Sequence, residues 1–128
     1  MEKSSYLGVY CRRWGIPLLD GGTVRLPRIV GQGRALEIIL TGRKVMSDEC
    51  LNIGLCEYVV EDGTSRKKAE EIAQTIAKFP QECLKADRKS ILNQNNLSLK
   101  EGLFFEWNNG MKNEILNKEG IKDADSSL

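Results

Sequence analysis

The residues best suited by type to do chemistry lie early in the chain: the run Cys11-Arg12-Arg13-Trp14 and, a little further on, Asp20-Gly21-Gly22. A carboxylate beside two glycines can act as base or nucleophile, or it can cap the helix that follows. Gly21 and Gly22 would let the backbone approach a ligand closely, and a helix N-terminus there would offer free N–H donors. Arg12 or Arg13 could pair with a carboxylate or phosphate. Trp14 could pack or stack. The Cys11 thiol would be reactive only with a depressed pKa and a nearby base. The chain has no histidine. Imidazole is therefore unavailable as base or ligand, and neither a Ser-His nor a Cys-His pair can be built from these residues.

The four cysteines, Cys11, Cys50, Cys56 and Cys83, show no C-x-x-C spacing. No metal site is expected from them; the pattern suits reduced, buried thiols in an intracellular compartment. Nineteen basic and eighteen acidic residues leave a formal charge of +1, which gives no electrostatic reason to expect nucleic acid as a partner. No apolar run approaches the ~18 residues of a membrane span. Met1-Glu2-Lys3-Ser4-Ser5 lacks the apolar stretch of a secretory signal. The expectation is a soluble intracellular chain, with mitochondrial, peroxisomal and cytosolic settings all open. Ser126-Ser127-Leu128 is a loose approach to a peroxisomal address.

The elements that must position these groups are mostly helical. Leu36, Ile39 and Leu40 mark one face of a helix over residues 33–40. Ser47 is expected to N-cap a segment carrying Asp48 and Glu49 in its first turn and stopping at Gly54. Residues 55–60 have the content of a short strand, closed by the turn Glu61-Asp62-Gly63. Thr64 should cap a helix whose apolar face is Ala69, Ile72, Ala73, Ile76 and Ala77. Pro80 ends it and opens another helix with Leu84, Ile91 and Leu92. Ser98 and Glu101 form a capping box for a last helix striped by Leu99, Leu103, Phe104, Trp107, Met111 and Ile115. That stripe is either local core or a surface for a partner. A single strand cannot make a sheet, so its partner is expected in another chain or a missing segment.

The run from Gly15 to Gly31, containing Gly15-Ile16-Pro17-Leu18-Leu19-Asp20-Gly21-Gly22-Thr23, resembles the core signature of the crotonase family of enoyl-CoA hydratases and isomerases. Ala35-Leu36-Glu37-Ile38-Ile39-Leu40-Thr41-Gly42-Arg43 matches its A-x-x-x-x-L-T-G helix, and Gly54-Leu55 its approach to a short strand. The three agree in order and spacing, and the likeness covers residues 7–120.

The resemblance implies the C-terminal half of an α/β fold built as a spiral of ββα units. The chain itself would be mostly α with one or two short strands. Residues 1–43 would be a loop and helices from the end of the core, residues 44–120 a helical region of the trimerising type, and residues 121–128 a flexible tail. The implied function is that of an acyl-CoA thioester protein, a hydratase or isomerase of fatty-acid or related CoA metabolism. Acyl-CoA would be its substrate, no cofactor would be needed, and the partner would be a homo-oligomer. The family's two oxyanion-hole segments and its first catalytic glutamate lie upstream of the Gly15 motif and are not matched here. Its second glutamate falls at Cys11. Asp20 is then the candidate acid, and Arg12, Trp14, Gly21 and Gly22 the candidate substrate-binding residues. The expectation is a chain incomplete for hydration by itself. The alternative is a non-catalytic helical module that assembles with itself or with full-length subunits.

Overall fold

A computed structural model describes residues 1–111 of the 128. The tail expected over residues 121–128 and the stripe position expected at Ile115 lie outside the described residues. The elements run β1 (Tyr6–Leu7), α1 (Gly22–Val30), α2 (Gln32–Thr41), β2 (Val45–Met46), α3 (Ser47–Asn52), α4 (Ser65–Ala77), α5 (Gln81–Asn93) and α6 (Leu99–Met111), with 3-10 turns at Cys11–Trp14 and Gln94–Asn96. The chain is thus mostly α with two short strands. It divides into two compact units between Glu70 and Glu71, within α4.

In the first unit α1 packs on α2, and the strands pair antiparallel, Tyr6 against Met46 and Leu7 against Val45. The core is Ile38, Val45 and Cys50, with Met1, Val9, Leu26, Ile53, Leu55 and Cys56 packed around it. Val45 and Cys50 are fully buried. The α2 face differs from expectation. Ala35 and Ile38 are buried, whereas Leu36 and Leu40 point outward at 49% and 62% exposure. The small Ala35 lets α2 lie close to its neighbours on that side, and the apolar positions at three-and-four spacing fall on both faces.

The strand expected over residues 55–60 is not formed. Leu55 and Cys56 both donate their N–H to the Cys50 carbonyl, at 2.8 and 3.4 Å, and so close the end of α3 instead. Only Val60 pairs, in a single parallel bridge to Glu2. The partner sought outside the chain is therefore its own first residues. These are well tied: the Met1 amine donates to the Tyr58 carbonyl at 2.5 Å, and Ser4 N–H to Asp62 at 3.0 Å. Lys3 pairs with Glu61. Ser47, expected to cap α3, sits inside its first turn and donates to the Lys3 carbonyl at 2.7 Å. Thr64 donates backward to Glu61 at 2.6 Å, and Glu2 takes up the Ser65 hydroxyl at 2.8 Å.

In the second unit α5 packs on α6 through Asn109, whose amide donates to the Ala86 carbonyl at 2.7 Å and to Ser90 Oγ at 3.0 Å. Gln81 donates to the carbonyls of Ile76 and Phe79 past the end of α4; the Ile76 carbonyl, four residues before Pro80, is the one that the missing proline N–H leaves without its α-helical donor. The Ser98–Glu101 capping box forms as its spacing requires. The α6 stripe is not local core among the described residues. Leu99, Leu103, Phe104, Trp107 and Met111 are 53–81% exposed, while Gly102, Phe105, Asn108, Asn109 and Gly110 are the half-buried positions.

Candidate functional site

The Cys11–Trp14 turn is laid over the C-terminal end of α2, and the contact is made by backbone acceptors meeting guanidinium donors. Arg12 Nη1 donates to the Ile39 carbonyl at 3.1 Å and Arg13 Nη2 to the Gly42 carbonyl at 2.9 Å. A helix C-terminus carries unpaired carbonyls and partial negative charge, so two cations there are doubly favoured. Gly42 makes the approach possible. It is left-handed (φ 59°), and a Cβ there would sit 3.1 Å from the Val9 carbonyl and 3.2 Å from Arg12 Cδ. The L-T-G ending of the helix motif thus has a local physical reason. Arg13 also stacks on Tyr10, 4.3 Å from the ring centroid. The Tyr10 hydroxyl is buried and has no hydrogen-bond partner among the described residues.

Beyond this turn the chain passes Gly15 and Ile16-Pro17-Leu18 to reach α1. A cleft of about 380 Å³ opens there, lined by Val9, Arg12, Ile16, Pro17, Leu18, Thr23, Ile39 and Leu40. Its walls are hydrocarbon apart from the Arg12 guanidinium and Thr23. Pro27 lies inside α1 and lacks the N–H that would meet the Thr23 carbonyl four residues earlier.

Of the expected site residues, Arg12 alone lines this cleft. Asp20 does not cap α1. Gly21, at φ 88°, is the N-cap, and its carbonyl receives the N–H groups of Val24 and Arg25 at 3.1 and 2.9 Å. Asp20 therefore sits one residue outside the helix, exposed, and no hydrogen bond or ion pair reaches its carboxylate among the described residues. The Arg25 guanidinium lies over the space beside Gly21, and the Leu18 side chain fills that beside Gly22. Trp14 is 79% exposed, so neither packing nor stacking holds it. Cys11 is half-buried with a free thiol. All four cysteines are free, but Cys50 alone is buried and Cys83 is exposed, which departs from the expectation of buried thiols throughout. Burial pushes the Cys50 thiol up, and it donates to the Val45 carbonyl at 3.4 Å. Among the described residues no three His, Cys, Asp or Glu side chains come together as a metal site.

Sequence reasoning missed two features. The apolar walls of the cleft come from residues far apart in the chain, and their one signal was the run Ile16-Pro17-Leu18 ahead of the glycines. The second is a charge cluster beside the site. Arg43 donates to Glu37 at 2.7 and 2.8 Å and to Glu49 at 2.7 and 2.6 Å. The Arg43 hydrogen bonds hold both carboxyls below their ordinary range and raise the guanidinium further. The cluster bridges a turn rather than one helix, so the i,i+4 spacing rule does not find it.

A sequence profile described as Enoyl-CoA hydratase/isomerase matches residues 3–126. The chain belongs to that family. It is 36% identical over 106 residues to an enoyl-CoA isomerase/hydratase of Mycosarcoma maydis, covering 83% of this chain and 39% of the relative. It is 32% identical over 130 residues to the ethylmalonyl-CoA decarboxylase of Homo sapiens, covering 94% of this chain and 42% of that one. Among solved structures, the enoyl-CoA hydratase of Bacillus anthracis superposes with a TM-score of 0.88 at 33% identity, over 98% of this chain and 48% of that one. The enoyl-CoA hydratase/isomerase fold is thereby shown for these residues, and the chain spans about two fifths of the length of the curated relatives it matches. Among the described residues no helix is long and apolar enough to cross a membrane.

Proposed function

We propose that this chain is the C-terminal part of an enoyl-CoA hydratase/isomerase-type protein, that it contributes an acyl-contacting surface, and that it is incomplete for hydration on its own. The observation that carries this reading is the composition of the cleft. Its lining includes hydrocarbon walls suited to an acyl chain but no carboxylate to activate water. Asp20, the one acid near the glycine loop, stands outside that lining, and Cys11 holds the position of the family's second glutamate. Stabilising a thioester enolate calls for paired N–H donors, and losing one such donor costs roughly a hundredfold or more in rate. Hydration of crotonyl-CoA by the purified chain is expected to be negligible beside an equimolar full-length family member. Turnover within about tenfold of that control, a smaller deficit than the loss of even one donor would cause, would overturn the reading.

The α6 stripe favours a second role, assembly, with a homotrimer as the expected form. Phe104 and Trp107, at 69% and 67% exposure, are large aromatic groups of the kind that anchor interfaces. Light scattering at rising concentration should show association of the chain, and Trp107→Glu should abolish it while leaving the helical content intact. A monomer at every concentration would sink this role.

A further inference from the structure

We propose that Arg12 makes the cleft selective for acyl groups bearing a free carboxylate, a step that rests on the acyl-thioester reading above and narrows its substrate class. Arg12 is the one cationic side chain lining the cleft; Val9, Ile16, Leu18, Ile39 and Leu40 supply hydrocarbon beside it. One of its nitrogens donates to the Ile39 carbonyl at 3.1 Å, which fixes the guanidinium against the end of α2. A guanidinium has five N–H donors, so most of its capacity remains for another acceptor.

Place in the cleft, together with the lack of an acid partner, sets Arg12 apart: Arg25, Arg28 and Arg34 also meet no acid among the described residues but lie outside the lining, and three other arginines are occupied. Arg43 is taken up by Glu37 and Glu49, Arg66 by Glu70, and Arg13 by the Gly42 carbonyl and the Tyr10 ring. No acid meets Arg12 among the described residues. A planar fork held in place by one hydrogen bond beside an apolar wall is well matched to a carboxylate at the end of a hydrocarbon chain. A neutral acyl chain would use the walls and leave the guanidinium to water. A carboxyacyl chain would use both.

The test compares the affinities of glutaryl-CoA and pentanoyl-CoA for the full chain by calorimetry at fixed ionic strength. The two esters share the nucleotide phosphates and differ at the far end of the acyl group, so their ratio isolates the carboxylate. Glutaryl-CoA is expected to bind about tenfold more tightly, the scale of one charge-assisted contact. Arg12→Gln should bring that ratio close to one. Arg12→Lys, which keeps the charge without the fork, should retain part of it and serves in its place should Arg12→Gln not fold. Circular dichroism checks the helices of each variant, and a general loosening of the fold would lower both affinities without moving the ratio. Equal binding by the wild-type chain would overturn the selectivity and leave the acyl-thioester reading standing. Binding of neither ester would overturn that reading and the selectivity with it.

Discussion

Residues 1–70 and residues 71–111 are both largely helical, yet they are held together by different physics. The first unit has a dry centre at Ile38, Val45 and Cys50, and its first residues are tied down by hydrogen bonds from Met1, Ser4 and Ser47. In the second unit no described residue is buried; its organising contacts are the Asn109 amide, the Gln81 amide and the Ser98–Glu101 box. Burial gives non-local stability that is lost all at once, while caps and amide hooks stabilise a helix end or a helix pair by small local increments. The cleft lies in the first unit, so the better-supported half of the described structure carries the candidate chemistry. The second presents its apolar residues outward.

The widest expected difference between the units is in thiol reactivity. Cys50 is fully buried and donates to the Val45 carbonyl, whereas Cys83 is exposed on α5. Alkylation with iodoacetamide, followed by mass spectrometry, should label Cys83 at once. Cys50 should react only through unfolding, slower by about a thousandfold or more if the first unit has ordinary stability. Equal labelling rates would show that the dry centre is not closed, and the contrast would disappear.

Substitution should give a smaller but more telling gap. Ile38→Ala removes a side chain that is 2% exposed, and the usual cost of such a truncation is about 2–5 kcal/mol. Asn109→Ala removes the donor shared by Ala86 and Ser90 in a half-buried place, at about 1 kcal/mol. Urea denaturation followed by circular dichroism would measure both. Matching losses would mean that the α5–α6 pair depends on Asn109 as strongly as the first unit depends on its centre.

How much of this was legible in the residues follows the same division. Local signals read well. The Ser98–Glu101 box, the break at Pro80 and the turn at Gly63 each depend on a few neighbouring residues, and each formed where the spacing placed it. Signals that depend on tertiary contacts read poorly. Residues 55–60 looked like a strand because Leu55, Cys56, Tyr58, Val59 and Val60 are apolar or aromatic, but the Cys50 carbonyl claims the first two amides. Ser47 has the type of a cap, yet a carbonyl forty-four residues earlier takes its hydroxyl. Asp20 has the type too, but the left-handed Gly21 moves the helix start past it. At the site, Arg12 was identifiable from its charge, while the walls around it come from elements brought together by the Gly42 approach, which no spacing rule encodes.

The smallest effect expected is on acid stability, and it separates the units by which bond is lost. Glu37 and Glu49 are held below the ordinary value of 4.5 by Arg43, and Glu101 is held below it by Ser98. A carboxyl depressed in the folded state contributes stability above its unfolded pKa, because the unfolded chain takes up the proton more readily. The contribution is therefore full near neutrality, begins to fall as pH drops toward 4.5, and is gone once pH passes below the folded values. The side chains of the Arg43 cluster are 37–45% exposed, so solvent screens the ion pairs and the gain is modest. Thermal melts between pH 7 and pH 3 should show the decline in the parent chain. Arg43→Gln should lower stability at pH 7 and flatten the slope contributed by the first unit. Ser98→Ala should do the same for α6 alone, leaving the Arg43 part in place. If Arg43→Gln keeps the full acid slope, Arg43 is not what holds the two glutamates low, and the charge cluster adds nothing to the first unit beyond its packed centre.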